Sequence, residues 1–149
     1  MQNFRTLSGA SLGLLALMAV SVADARDDHK HLPISDAMST PAAKEKLNDD
    51  IQVFWGEQPH PTPEATLGEY TANKKTNAFN KSDKEACEWV FLSAMISLQS
   101  RAKAEGGNAL INVHSVYRNE EFTSTTEYEC GAGAIMAGVA LRGTVVKLP

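Results

Sequence analysis

A short segment near the N-terminus contains the residue types of a metal site. Residues 27–31 (DDHKH) place two carboxylates beside His29 and His31. If processing left Asp27 as the first residue, the free amine, two backbone nitrogens and His29 would offer the square-planar ligand set that Cu(II) and Ni(II) prefer. The competing interpretation is a polar arm whose histidines bind nothing.

His114 is another histidine with possible metal ligands nearby. It shares a predicted strand face with Asn112, and Glu127 and Glu129 are expected across the following hairpin. One imidazole and two carboxylates suit a divalent ion, whereas the alternative is a solvated sheet face with balanced charges. A divalent metal is therefore the only cofactor that these residues indicate.

Cys87 and Cys130 are the two cysteines, and their chemistry depends on the compartment. In an oxidising compartment the simplest state is a disulfide bond, since only one intramolecular pairing exists. Two other states stay open: a pair of buried thiols, or a reactive Cys87 thiolate, because a position near a helix N-terminus lowers the pKa of a thiol. A Cys87–His114 catalytic pair would require an unpaired Cys87.

Residues 1–25 predict export. Arg5 is followed by an apolar run over residues 12–22, and residues 23–25 (ADA) have small side chains where signal peptidase reads them. Cleavage after Ala25 would place the mature chain in the periplasm or outside the cell. An uncleaved membrane anchor is the alternative, but the uncharged run is barely long enough to span a membrane and contains glycine and serine.

A long helix is predicted to carry Cys87. Ser82 and Glu85 fit a capping box that starts this helix, which runs to about residue 105 before a glycine pair ends it. Apolar residues recur at helical spacing and include Cys87, so one stripe of the helix faces a core.

Strand patterns surround this helix. Cys130 ends an alternating segment in which it shares a face with Tyr128, opposite Glu127 and Glu129. The order ββαβββ predicts an α+β domain with one long helix packed on one face of the sheet. The predicted strands are 51–55, 67–71, 109–117, 124–130 and 139–148.

The domain organisation follows from this pattern. We assign residues 51–149 to a single α+β domain. Residues 26–50 are polar and lack clear periodicity, so we expect a flexible N-terminal arm that contains a helical piece at 41–48.

A second apolar stripe points to a partner. Trp89, Leu92 and Ile96 fall on the side of the helix away from Cys87. Either the chain itself covers this side, with residues 41–48 or the proline-rich loop, or another subunit does. We therefore take these three residues as candidate interface residues.

Other classes of function lack support in the sequence. Catalytic motifs such as a nucleophile elbow or a zinc-protease pair are absent, so no catalytic residue is assigned. Residues 131–138 begin like a dinucleotide fingerprint, but Met136 stands where the third glycine belongs, and close backbone approach explains the glycines better. The net charge of -4, with no basic cluster, argues against nucleic acid.

Two segments resemble a known family. Residues 99–113 (QSRAKAEGGNALINV) resemble the signature of the YbjQ-like, so-called heavy-metal-binding domain family, and residues 130–143 look like its exported branch. That branch is often labelled "excinuclease ATPase subunit", and the Rcs envelope-stress sensor lipoprotein is distantly similar. The resemblance implies a small α+β domain that is commonly oligomeric and largely unassigned in function. The ATPase label has no phosphate-binding loop to support it here.

These observations lead to one main expectation and one alternative. The main expectation is an exported, non-enzymatic domain that assembles with itself or binds an envelope protein, without ATP, nucleic acid or a retained membrane anchor. The alternative is a metal-binding or metal-buffering protein that uses His29, His31 or His114.

Overall fold

The computed structural model describes residues 26–149, so the predicted signal peptide lies outside the described residues. The sheet strands are β1 (Asp28–Pro33), β2 (Gln52–Trp55), β3 (Ala65–Asn77), β4 (Ala109–Ser115), β5 (Glu127–Ala132) and β6 (Met136–Lys147). The helices are α1 (Ile34–Met38), α2 (Pro41–Lys46) and α3 (Asp83–Ala104), with a single 3₁₀ turn at Tyr117–Asn119.

The six strands form one mixed sheet around β6. β6 pairs antiparallel with β3, β4 and β5, while β1 adds antiparallel to β5 and β2 adds parallel to β4. β6 is almost entirely buried, as expected for a central strand. The expectation of an α+β domain with one long helix on the sheet is confirmed.

Helix α3 begins and ends where its capping residues predict. The Ser82 hydroxyl accepts a hydrogen bond from the Glu85 backbone N–H at 3.1 Å, which satisfies one of the free donors of the first turn. At the other end Gly106 adopts a left-handed φ of 80°, a conformation that favours glycine.

The core joins α3 to the sheet through Cys87 and Cys130. Their sulfurs form a disulfide bond, with the Cα atoms 5.9 Å apart, so the predicted pairing is confirmed. Beside this bond the Phe91 ring lies 4.4 Å, centroid to centroid, from the ring of Tyr128. All four side chains are buried, as the predicted faces of helix and strand require.

The structure corrects the expected flexible arm at residues 26–50. This segment contains β1, α1 and α2, and β1 forms a continuous ladder with β5, from Asp28 opposite Ala132 to Pro33 opposite Glu127. The sequence of β1 lacks the apolar alternation of a strand, because Asp28, His29 and Lys30 form ion pairs and Leu32 alone packs on the core. The expected helical piece at 41–48 corresponds to α2.

Strand β3 is also longer than expected. The sequence predicts a strand only at 67–71 and a polar connection after it, whereas β3 continues to Asn77. Its other edge has no neighbouring strand in the described sheet, and Lys74 and Lys75 stand on it. Lysines are common on exposed strand edges because they oppose pairing with other chains. Their presence also removes the apolar alternation by which a strand is recognised in the sequence.

Candidate binding cleft

The ring of Tyr117 packs against a part of the sheet where Gly131 and Gly138 carry no side chains. A side chain on Gly131 would overlap the Tyr117 ring, and a Cβ on Gly138 would lie 3.0 Å from its Cε2 atom. Because Cys130 faces α3, the adjacent Gly131 faces the opposite side of the sheet. Tyr117 therefore occupies the space that two missing side chains leave on the sheet face away from the helix. The sequence predicts a close approach of backbone to these glycines, but the group that approaches Gly131 is the Tyr117 side chain. Backbone approaches Gly133, where a Cβ would lie 2.8 Å from the Met136 carbonyl oxygen.

The turn that carries Tyr117 is strained. Arg118 and Asn119 both have left-handed φ angles, 52° and 62°. Asparagine tolerates this conformation, but arginine rarely adopts it, and such strain persists only where the surrounding structure fixes it. The chain leaves the sheet after Ser115, so the expected strand 109–117 is two residues too long.

A network of charged groups connects Tyr117 to the N-terminal segment. The Tyr117 hydroxyl donates to an Asp27 oxygen at 3.1 Å, and Arg118 forms an ion pair with the same carboxylate. Burial raises the pKa of the Tyr117 phenol, so this group stays a neutral donor at physiological pH. The contacts hold residues 117–118 and the start of β1 together.

The start of β1 is also tied to the start of α3. Asp83 receives Arg26 Nη2 at 2.7 Å and Lys30 Nζ at 3.1 Å. The hydrogen bond from Arg26 lowers the pKa of the Asp83 carboxyl below its usual value. These pairs bring Arg26 to the rim of the same region as Tyr117.

These elements enclose the Tyr117 cleft, an open cavity of about 450 Å³. One wall is the hairpin between β5 and β6, the other wall comes from β3, and the 3₁₀ turn supplies the floor. The lining residues are Arg26, Asp27, Lys75, Tyr117, Arg118 and residues 133–138.

An apolar corner, defined by Phe79, Ile135 and Met136, overlaps the wall of the cleft. Their exposed fractions are 62%, 66% and 48%. Backbone contacts bring the two segments together, since Ala78 N–H donates to Ile135 C=O at 2.7 Å and Met136 pairs with Asn77. Three of the four large hydrophobic side chains exposed within residues 26–149 therefore lie in one part of the molecule.

The second stripe of α3 is largely covered by the chain itself. Helix α2 packs beside it, and Leu92 is only 3% exposed, which corrects its assignment to an interface with another subunit. Ile96 is partly buried, whereas Trp89 remains 44% exposed beside a groove of about 280 Å³. Lys46 lies 5.7 Å above the Trp89 ring, so a cation already occupies one side of it.

The candidate metal ligands are not brought together. His29 Nδ1 lies 2.6 Å from Glu129 Oε1, and the His31 ring stacks on Phe122 at 3.9 Å. The backbone of Asp28 and His29 belongs to the β1–β5 ladder, so the sheet uses the chain that a square-planar site would need. Within residues 26–149 no group of three or more metal-binding side chains is present.

His114 contacts Asn112, the residue expected beside it, but its acidic neighbour is Glu121 and not Glu127 or Glu129. Its Nδ1 contacts the Asn112 carbonyl at 2.7 Å, and its Nε2 lies 3.7 Å from Glu121. Glu129 is buried against His29 instead of lying on a solvated face, because β1 pairs alongside β5 and brings His29 next to it. The disulfide also removes Cys87 as a partner for His114 in catalysis.

Comparison with known proteins finds no matching family model, curated protein or solved structure. Among residues 26–149 no helix is long and apolar enough to cross a membrane.

The cleft is not predictable from the sequence, although the glycines that build it can be recognised there. Gly131 and Gly138 stand out in the sequence, but no residue near Tyr117 indicates that the chain leaves the strand there and that the Tyr117 ring covers the two glycines. The role of Arg26 is hidden because it depends on pairing with Asp83, and the role of Asp27 because it depends on Tyr117 and Arg118. All these partners are distant in sequence.

Proposed function

We propose that this chain is an exported, non-enzymatic binding module of the cell envelope, in the periplasm or secreted. It binds a second copy of itself or another envelope protein through the apolar corner. The observation that carries this proposal is the gathering of Phe79, Ile135 and Met136 at one exposed site.

Leaving these three side chains in water costs free energy that binding would recover. Fully burying a side chain such as phenylalanine, isoleucine or methionine contributes about 1.5–3 kcal/mol. Contiguous apolar patches on a protein surface mark interaction sites more often than single exposed residues do. Phenylalanine and methionine are also enriched at protein interfaces.

Two further points support the location and the mode of action. The disulfide between Cys87 and Cys130 is typical of proteins in oxidising compartments, and residues 1–25 have the pattern of a signal peptide. The resemblance of residues 99–113 to the YbjQ-like family supports a binding role, because that resemblance implies an assembling domain.

Site-specific photo-crosslinking in the producing cell tests the proposal. Benzoylphenylalanine replaces Ile135 in one variant and Glu57, an exposed residue in a distant loop, in the control. We expect illumination to give a discrete adduct from position 135, which mass spectrometry identifies as a second copy or another envelope protein. No adduct from position 135, or the same adduct from position 57, would contradict the proposal.

A further inference from the structure

The Tyr117 cleft has the size and lining of a small-molecule site. Its volume of about 450 Å³ lies in the range of ligand pockets, which are mostly apolar with a few placed polar groups. Ala134, Ile135, Met136 and Ala137 give it an apolar wall, and Tyr117 gives it an aromatic surface. Since the Tyr117 hydroxyl is engaged by Asp27, the residue offers mainly its ring to a ligand.

The charges of the cleft favour an anion. Three cations line it, but Arg26 pairs with Asp83 and Arg118 pairs with Asp27. Lys75 forms no ion pair with any residue in the part of the chain that the structure describes. In a protein of net charge -4, this leaves one uncompensated cation beside an apolar wall.

Lys75 is placed where a ligand could reach it. It stands opposite Gly138 in the β3–β6 ladder, and a Cβ on Gly138 would lie 3.8 Å from its Cγ atom. Its stem therefore runs along the glycine that the Tyr117 ring also covers. The ammonium group and the ring belong to one site.

We infer that the Tyr117 cleft binds a small amphiphile, an acyl or aromatic group that carries a single carboxylate or phosphate. The apolar part lies against Tyr117 and Ile135, and the anionic group reaches Lys75, with Arg118 as a second donor. The cleft shares Ile135 and Met136 with the apolar corner, but binding of a small probe is measured without any protein partner, so this inference and the proposed interface can fail separately.

The test uses three matched probes: octanoate, octyl phosphate and the neutral 1-octanol. Binding to the ¹⁵N-labelled, disulfide-bonded protein is followed by chemical shifts of residues 117–118 and 133–138. We expect at least one anionic probe to bind in the cleft about fivefold or more tightly than octanol, as a single partly exposed charge pair would give. The tighter of the two anions identifies the head group.

Two variants separate the contribution of the Lys75 charge from nonspecific binding. Lys75→Gln removes the cation, whereas Lys147→Gln removes an exposed lysine at the far end of the sheet, at the terminus of β6. We expect Lys75→Gln to weaken anion binding about fivefold and Lys147→Gln to leave it unchanged. Equal binding of octanol and the anions, no shift at the cleft with any probe, or an unchanged affinity of Lys75→Gln would overturn the inference.

Discussion

At the scale of single residues, the unusual feature is Tyr117, whose ring fills the space that glycines leave on the sheet. Gly131 and Gly138 leave a bare strip on the face away from α3, and the Tyr117 ring fills it. The glycines and the tyrosine therefore depend on each other, although they are separated in sequence. This packing also sets the position of Arg118 at the cleft.

A double-mutant cycle tests this dependence. Gly131→Ala should lower the free energy of unfolding by about 1–3 kcal/mol, because the added methyl group forces the ring away. In a Tyr117→Ala background the same change should cost much less, since the clash is gone. Urea unfolding measures both. An equal cost in the two backgrounds would show that the ring does not require the glycine.

For Tyr128 we expect that loss of the hydroxyl does not destabilise the fold. Its hydroxyl is buried and has no hydrogen-bond partner among residues 26–149, and burial raises the pKa of the phenol. A buried polar atom without a partner costs free energy. Tyr128→Phe should therefore leave the free energy of unfolding unchanged or raise it by about 1 kcal/mol. A loss of more than about 1 kcal/mol would mean that the hydroxyl has a partner, such as water.

At the scale of elements, β1 matters most, because it directly follows Arg26 and Asp27, which line the cleft, and is tied to α3. Asp83 receives Arg26 and Lys30, so its pKa is lowered in the folded state. A carboxylate with a lowered pKa stabilises the fold above its unfolded pKa. This stabilisation is lost as the pH falls through the lower folded value.

Arg26→Gln tests this link. At pH 7 it should lower the free energy of unfolding only slightly, because the ion pair is exposed to solvent. The difference should shrink as the pH falls below 3.8, the ordinary pKa of aspartate, and the folded pKa of Asp83 should rise in the variant. Urea unfolding across pH and carboxyl NMR measure these effects. Lys44→Gln, at an exposed lysine, is the control, and a difference independent of pH would contradict the account.

The disulfide joins α3 to β5 across a sequence separation of 43 residues. Closing a loop of this length in the unfolded chain is worth about 4 kcal/mol in the chain-entropy model. The double variant Cys87→Ala, Cys130→Ala should lose a comparable amount in urea unfolding. The oxidised wild type should be insensitive to iodoacetamide before reduction. Alkylation of either cysteine without a reductant would contradict the pairing.

At the scale of the whole molecule, the apolar patterns predict what α3 and the central strands do. The Ser82 cap, the stripe through Cys87 and the alternation before Cys130 suffice for the helix, its sheet and the disulfide, because burial of apolar side chains determines all three. The polar strands β1 and β3 are missed or shortened, because ion pairs and the sheet edge determine them. The cleft depends on those same strands, so its main residues escape sequence reasoning.

Two exposed apolar surfaces compete as the binding surface of the molecule. One is the apolar corner at Ile135, and the other surrounds Trp89 on α3. A charged residue at either position should change the fold little, because both side chains are exposed.

The most direct measurement compares the affinity of these two variants for the partner identified by crosslinking. Sedimentation velocity serves if the partner is a second copy, and calorimetry serves if it is another protein. Ile135→Asp should weaken binding at least about tenfold, as loss of a central apolar contact does, while Trp89→Glu leaves it unchanged and both variants unfold like the wild type. Wild-type affinity of Ile135→Asp, with binding lost in Trp89→Glu, would contradict the account and move the interface to α3.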